Sequence, residues 1–406
     1  MQPQRSMGLV PRPHHCSHQA RHRRPPTAWS LRMTDPADLR HQLATAVPVE
    51  NPAWRKALET VPRELFLGNG LFQFDGRQWT PVHRDRTDPG KWLGLVYQDT
   101  TWVTQVDGTT AVDATGPVTG RPTSSSTLPS LIVRMLDVAG ISEGHKVLEI
   151  GTGTGYSTAI LCSRLSDNNV YSIEYDPGLA ATAADHIHAA GYHPTLITGD
   201  GLAGHKDDAE YDHIVATCAV RHIPPAWLYQ VRVGGTITTT ISGWMLASGL
   251  VRLTVQDDAT ATGRFHPDQI SYMLARPHER PPRPTFQQHP GHTRATRVNP
   301  ALLEDWTGQF LAQLAAPSAE LMTTGTGVIL VDVATGSQAW TEPAGGGWTV
   351  HQHGPLRLWD QVEDALTIWQ DAGSPPHSDL GLTVDLDGTQ RVWLGTPDGR
   401  SWNLPV

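Results

Sequence analysis

The sequence predicts an α/β fold: a largely parallel sheet covered by helices, with a small helical cap before it and a smaller α+β domain after it. Three observations carry this. Residues 146–255 alternate short apolar runs with helical periodicity, a buried-strand pattern ends in three alternate glycines, and a Pro-, His-, Arg- and Thr-rich stretch at 276–300 separates the last quarter of the chain.

At 406 residues the chain exceeds what one hydrophobic core supports, about 250–300 residues, so more than one domain is expected. Charged residues at 17% and apolar residues at 38%, with abundant Gly and Pro, describe a globular chain with long loops. A net charge of −9 argues against a general nucleic-acid binder, which needs a cationic field to displace counterions from phosphates. Cys16, Cys162 and Cys218 are odd in number and lack metal-type spacing, so neither a disulfide framework nor a zinc site is expected, and a reducing, cytoplasmic setting fits. No apolar run is long enough to cross a bilayer.

Residues 1–33 hold Arg5, Arg12, Arg21, Arg23, Arg24 and Arg32 without an acidic residue or an apolar core, which reads as a disordered basic extension rather than a secretory signal. A basic arm or organelle-targeting segment is the alternative. Residues 34–260 are assigned to the sheet domain with its cap, 261–300 to the linker and 301–406 to the accessory α+β domain.

In the cap, residues 35–74 show helical spacing through Leu39, Leu43, Trp54, Leu58 and Val61, and 91–106 alternate apolar and polar side chains as short strands do. A hydroxyl-rich loop then enters a helix, with Thr127 in N-cap position and Pro129 in the first turn. Backbone N–H groups at such a start favour an anion. Beyond it the spacing predicts strands at 146–150, 170–174, 195–198, 211–217, 236–241 and 250–255. Helices are expected at 156–165 and 179–190 and from Pro225, with a turn at Gly234-Gly235. After the linker come a helix at 302–314, strands at 327–333, 338–341 and 349–351, a helix at 359–369, and hairpins turning at Asp387-Gly388 and Asp398-Gly399.

Chemistry concentrates in Val147-Leu148-Glu149-Ile150-Gly151-Thr152-Gly153-Thr154-Gly155-Tyr156. Glycines between a strand and a helix allow a tight turn and close backbone approach to a ligand, as in Rossmann-like folds, although a bare glycine-rich loop is equally consistent with a plain turn. Glu174 ends the next predicted strand, where such folds place a carboxylate on ribose hydroxyls; alone it reads as a solvated surface group. Asp200, followed by Gly201, sits at the end of the third strand, placed to accept from an adenine amino group or to form a turn.

The alternate-glycine spacing differs from the GxGxxG dinucleotide fingerprint. Together with Val61 to Leu67, Gly199-Asp200-Gly201, Tyr211-Asp212-His213-Ile214 and Ile223-Pro224-Pro225, it resembles the protein-L-isoaspartate O-methyltransferase family, over about residues 36–245. The resemblance implies a class I methyltransferase sheet that binds S-adenosyl-L-methionine. Glu149 with Gly151, Thr152, Gly153, Thr154, Gly155 and Tyr156 would hold the methionine end, Glu174 the ribose, and Asp200 with Gly201 the adenine. It further implies that the loop at Thr127, with Ser126 as the alternative, receives the substrate carboxylate of an Asp or isoAsp residue in a peptide or protein. Here the chain reads Ser126-Thr127-Leu128-Pro129-Ser130 where the family has an Ile-Ser-Ala-Pro-like stretch.

Two substrate branches follow from the resemblance: repair of damaged protein, and tailoring of ribosomal peptides cyclised by ATP-grasp ligases or lanthipeptide enzymes. The domain after Arg276 resembles the extension of the tailoring branch. Trp340, Trp348, Trp393 and Trp402 on its predicted strands suit core packing better than an aromatic peptide groove. Arg276, Arg280, Arg283, Arg294 and Arg297 read as a solvated linker before they read as an acidic-peptide attractant. A calcium loop at Asp385-Leu386-Asp387-Gly388 fails for want of a downstream Glu. Rival classes are a nicotinamide-dependent dehydrogenase, which fits the glycine spacing poorly, and a non-catalytic binder of S-adenosyl-L-methionine or peptide.

Overall fold

The computed structural model describes residues 35–257, 259–325 and 327–405. The basic extension expected over 1–33, and Cys16 within it, lie outside them. Two compact units divide between Ser130 and Leu131.

In the first unit, helices α1 (Pro36–Ala46) and α2 (Pro52–Thr60) start alike. Asp35 and Asn51 accept from the second helical N–H, and a proline at the first position presets the helical φ. Strands β1 (Gly70–Phe74) and β2 (Trp79–His83) precede helix α3 (Pro89–Val96), and β3 (Trp102–Val106), β4 (Thr109–Thr110) and β5 (Pro122–Ser126) complete an antiparallel sheet. The cap is therefore half sheet, and two local expectations are corrected. Residues 70–74 pair as a strand because Leu71 and Phe72 bury against β2 and β3. Residues 89–96 are helical because Asp88 accepts from the Lys91 N–H and Trp92 and Val96, one turn apart, bury on one face.

Helix α4 (Pro129–Ala139) follows, starting one residue later than the hydroxyl pattern predicts. Thr127 is not its cap; the Ser130 N–H goes to the Asp99 carboxylate at 2.9 Å.

The second unit carries the parallel sheet. Strand β6 (Val147–Ile150), helix α5 (Tyr156–Leu165), β7 (Val170–Glu174), helix α6 (Pro177–Ala189), β8 (Thr195–Thr198), β9 (Tyr211–Val220), helix α7 (Pro225–Leu228) and β10 (Val231–Ser242) form a parallel sheet in the order β8-β7-β6-β9-β10. Gly234-Gly235 lies inside β10, where the register with β9 slips, rather than in a separate turn. Strand order reverses at β6, so the crevice beside its carboxyl end is the topological switch point where ligands of such sheets bind.

Antiparallel strands β11 (Ser248–Val255) and β12 (Ala261–Phe265) continue the sheet. Then come β13 (His292–Ala295), helix α8 (Trp306–Ala315), β14 (Ala319–Thr323), β15 (Val328–Asp332), β16 (Gln338–Ala344), β17 (Gly347–His353), helix α9 (Leu358–Asp371) and strands β18 (Leu380–Val384), β19 (Gln390–Leu394) and β20 (Ser401–Asn403). β13 to β17 make a separate antiparallel sheet.

The contacts do not divide at 260 and 300. β12 lies within the stretch expected as linker, and it pairs with β18, so β18 to β20 extend the main sheet to ten strands. One core holds Ile214 and Ile237 of that sheet with Phe310 and Trp359 of the last quarter. Composition marks the Pro-rich stretch but says nothing of which distant strand pairs with a sheet edge. Nor are its arginines loose. Arg280 and Arg283 pair with Glu320, Arg294 with Asp360 and Glu363, and Arg297 with Glu363 and Asp364.

Candidate functional site

The four residues of β6 are buried, which drives the glycine loop out at the carboxyl edge of the sheet. Gly151, Gly153 and Gly155 all have left-handed φ, +99°, +57° and +87°, which other residues reach only under strain. The Gly151 and Thr152 N–H groups donate to the Ile173 carbonyl at 2.8 and 3.1 Å, and the Gly155 N–H closes the turn onto Thr152. A Cβ on Gly155 would lie 2.8 Å from Ile187 Cγ1. Gly155 caps α5, whose first residue, Tyr156, is buried.

Glu174 locks this loop to β7. Its Oε2 accepts from the Gly153 N–H at 2.8 Å and its Oε1 from the Asp176 N–H at 3.0 Å. Each oxygen keeps a lone pair for a further donor. Burial pushes the Glu174 pKa up, while the Asp176 and Gly153 N–H groups oppose the shift. A cavity of about 230 Å³ opens beside it, lined by Thr152, Glu174, Pro177, Ala180, Leu196 and Thr198 among others.

Glu149 is fully buried, and Thr158 and Ser172 donate to its Oε2 at 2.5 and 2.8 Å. Burial raises its pKa, and donation from Ser157, Thr158 and Ser172 pulls the other way. Its Oε1 makes no hydrogen bond of ordinary geometry to the described residues. A buried acceptor in that condition costs free energy until a donor reaches it, so the geometry suits a ligand that brings an N–H group or a positive charge.

Asp200 is exposed, and its Oδ1 accepts from the Leu202 N–H at 2.9 Å, the turn geometry expected of it. Gly201 packs so closely on β6 that a Cβ there would lie 2.4 Å from Ile150 Cγ2. Thr154 offers its carbonyl to His186 Nδ1 at 3.3 Å. Thus the second unit gathers Glu149, the 151–156 loop, Glu174, Asp200 and Gly201 at the carboxyl ends of β6, β7 and β8. Cys218 lies against the Ile150 carbonyl, with burial raising its thiol pKa to about 12, which suits packing and not nucleophilic attack.

Ser126 and Thr127 belong to the first unit. Ser126 is 1% exposed and its hydroxyl has no partner among the described residues, whereas Thr127 is half-buried. Both carbonyls point to Arg63, a residue that sequence reasoning noted only as part of a motif. Sequence reasoning also missed Tyr175, 51% exposed immediately after Glu174, and Tyr272, whose hydroxyl is buried without a partner. No motif marks either one. Among the described residues no group of three His, Cys, Asp or Glu is placed to hold a metal ion, and no helix is long and apolar enough to cross a membrane.

Residues 100–262 match the family model described as Protein-L-isoaspartate(D-aspartate) O-methyltransferase. The chain is 31% identical over 157 residues to the Protein-L-isoaspartate O-methyltransferase of Thermococcus onnurineus, covering 38% of this chain and 70% of that relative. It is 37% identical over 115 residues to the protein of that name from Ignicoccus hospitalis, covering 28% of this chain and 54% of that relative. Thus the chain spans only about half the length of some curated relatives it matches. A solved structure titled protein-L-isoaspartate O-methyltransferase superposes with a TM-score of 0.51 at 18% identity, covering 89% of this chain and all of that one, a likeness of fold.

Proposed function

Because this chain belongs to the protein-L-isoaspartate O-methyltransferase family, we propose that it transfers a methyl group from S-adenosyl-L-methionine to an Asp or isoAsp side-chain carboxylate in a peptide or protein. The observation that carries the reading is the Glu174–Gly153 contact. It holds a left-handed glycine loop and an acceptor-bearing strand end together at the switch point of the sheet.

The residues fit the cofactor. Glu149 Oε1, which lacks a hydrogen bond of ordinary geometry, suits its cationic methionyl end, Gly155 leaves no room for a Cβ in the loop, and Glu174 keeps lone pairs for ribose hydroxyls. Asp200 and Gly201 border the adenine side, and the exposed Tyr175 ring offers a face for stacking. Bound there, S-adenosyl-L-methionine supplies an electrophilic methyl group on a sulfonium. A substrate carboxylate oxygen would take that methyl group, the new C–O bond replacing the C–S bond and a neutral thioether being the leaving group. At neutral pH the carboxylate is already ionised, so no residue need act as a general base. The protein's work is alignment and exclusion of water, worth roughly 7–11 kcal/mol in well-oriented systems. Thr127, or Ser126 with its buried hydroxyl, is assigned to orient the carboxylate.

A second reading rests on residues 263–406, which lie beyond the family match yet extend the same sheet and core. On it, the substrate is a ribosomally made, ATP-grasp-cyclised peptide, and the ester closes to an aspartimide. Incubation with methyl-labelled S-adenosyl-L-methionine tests both readings, with an isoaspartyl peptide and an Asp-rich cyclised precursor in separate reactions. Base-labile label in the first supports repair, and label confined to the second supports tailoring. Binding without label in either leaves a non-catalytic binder and refutes the transferase.

A further inference from the structure

Beyond the residues that match the family, the chain returns to the cofactor site. After β12 it runs along the end of β9, where the Ala219 N–H donates to the Met273 carbonyl and the Ala275 N–H to the Ala219 carbonyl, each at 2.8 Å. Leu274 bridges Ala219 in parallel. This pairing fixes Tyr272 at the carboxyl edge of the sheet, next to the strand that carries Thr217 and Cys218. Thr217 touches the glycine loop directly, its hydroxyl donating to the Gly151 carbonyl at 2.6 Å, and Cys218 Sγ lies 3.8 Å from the Ile150 carbonyl at the end of β6.

The Tyr272 hydroxyl is buried and has no hydrogen-bond partner among the described residues, the same condition as Glu149 Oε1. The Tyr272 pKa is driven up first by burial, then by the negative charge of Glu149, then by Cys218. The Tyr272 phenol, buried without a partner beside the end of β9, and the buried Glu149 carboxylate on the neighbouring β6 each offer an oxygen acceptor to a cationic group.

We infer that Tyr272 is a cofactor-binding residue supplied from outside the family-matched region, its hydroxyl oxygen facing with Glu149 the positive charge of the methyl donor. This rests on the methyltransferase reading above. Two positive groups of that donor have the required chemistry, the methionyl ammonium and the sulfonium. S-adenosyl-L-homocysteine keeps the first and lacks the second.

Calorimetric titration of the full chain and of Tyr272→Phe with each compound decides the matter; the substitution keeps the ring and removes only the hydroxyl. The dissociation constant of Tyr272→Phe for S-adenosyl-L-methionine is expected to rise roughly 5- to 10-fold, the worth of one hydrogen bond. An equal rise for the homocysteine analogue places the ammonium against Tyr272, and a rise for the methionine compound alone places the sulfonium there. Unchanged affinity for both compounds, in a variant that melts with the parent, overturns the inference while leaving the methyltransferase reading intact. Failure of the unsubstituted chain to bind either compound removes that reading and this inference with it.

Discussion

Arg63 donates from Nη2 to the Thr127 carbonyl at 3.3 Å, tying the motif at 61–67 to the loop that precedes α4. Its side chain is fully buried and also donates to the carbonyls of Val96, Gln98 and Thr100, at 2.9, 2.6 and 2.8 Å. One planar guanidinium thereby holds the turn after α3 and the Ser126-Thr127 loop. A lysine ammonium has no such fork.

Arg63→Lys is therefore expected to lower stability by about 2–3 kcal/mol, since hydrogen bonds to a charged group contribute roughly 1.5–3 kcal/mol each and do not add fully. Urea denaturation reads the loss, and methyl transfer should fall with it. An unchanged midpoint would show that the carbonyls find other partners.

Gly155→Val forces a β-branched residue into a φ of +87° and drives its side chain at Ile187. Left-handed backbone costs about 1–2 kcal/mol and overpacking about 1–3 kcal/mol. Cofactor affinity should drop at least tenfold in whatever protein still folds, measured by equilibrium dialysis. Parental affinity would detach the loop from the ligand.

Glu149 yields a prediction of pH dependence. Its pKa is raised in the folded chain above the usual value of 4.5, chiefly by burial. The folded state then holds a proton that the unfolded chain releases, so stability falls as pH rises from 4.5 through the folded value and stays lowered above it. Glu149→Gln without cofactor should accordingly melt higher than the parent at pH 7, with the difference closing as the pH drops toward 4.5, and should bind S-adenosyl-L-methionine more weakly. Melting curves across that range check the sign; a variant that melts lower at pH 7 contradicts it.

Glu363 works in the opposite sense. Its carboxylate is 1% exposed, and Arg294, Thr296 and the Arg297 N–H hold its pKa down at about 2 despite burial. That stabilisation is complete above the usual 4.5 and is lost as pH falls through about 2. Glu363→Ala, which leaves Arg294 and Arg297 short of a counter-charge, should cost about 3 kcal/mol at neutral pH. A loss under 1 kcal/mol on denaturation would show that Asp360 and Asp364 suffice.

Much of the cofactor side was legible in the sequence because local signals there agree. The helix at 156–165 and the strands at 170–174 and 195–198 stand where periodicity and flanking glycines put them. What escaped depends on partners far along the chain. Residues 89–96 carry two glycines and little helical propensity, and become helical through the Asp88 cap and the burial of Trp92. Asp99 caps a helix start that lacks a capping residue of its own, and β12 takes its partner from β18. Tyr272 sits in no motif at all, and the pairing of its neighbours with Ala219 brings its segment beside β9, with its hydroxyl buried.

On the proposed function, the loop held by Glu174 seats a sulfonium methyl donor. Isothermal titration of the purified, folded chain with S-adenosyl-L-methionine tests it most directly. Saturable binding at one site per chain, lost in Gly155→Val, is the predicted result. A titration showing neither heat nor saturation, with the protein folded by its melting curve, would contradict the account.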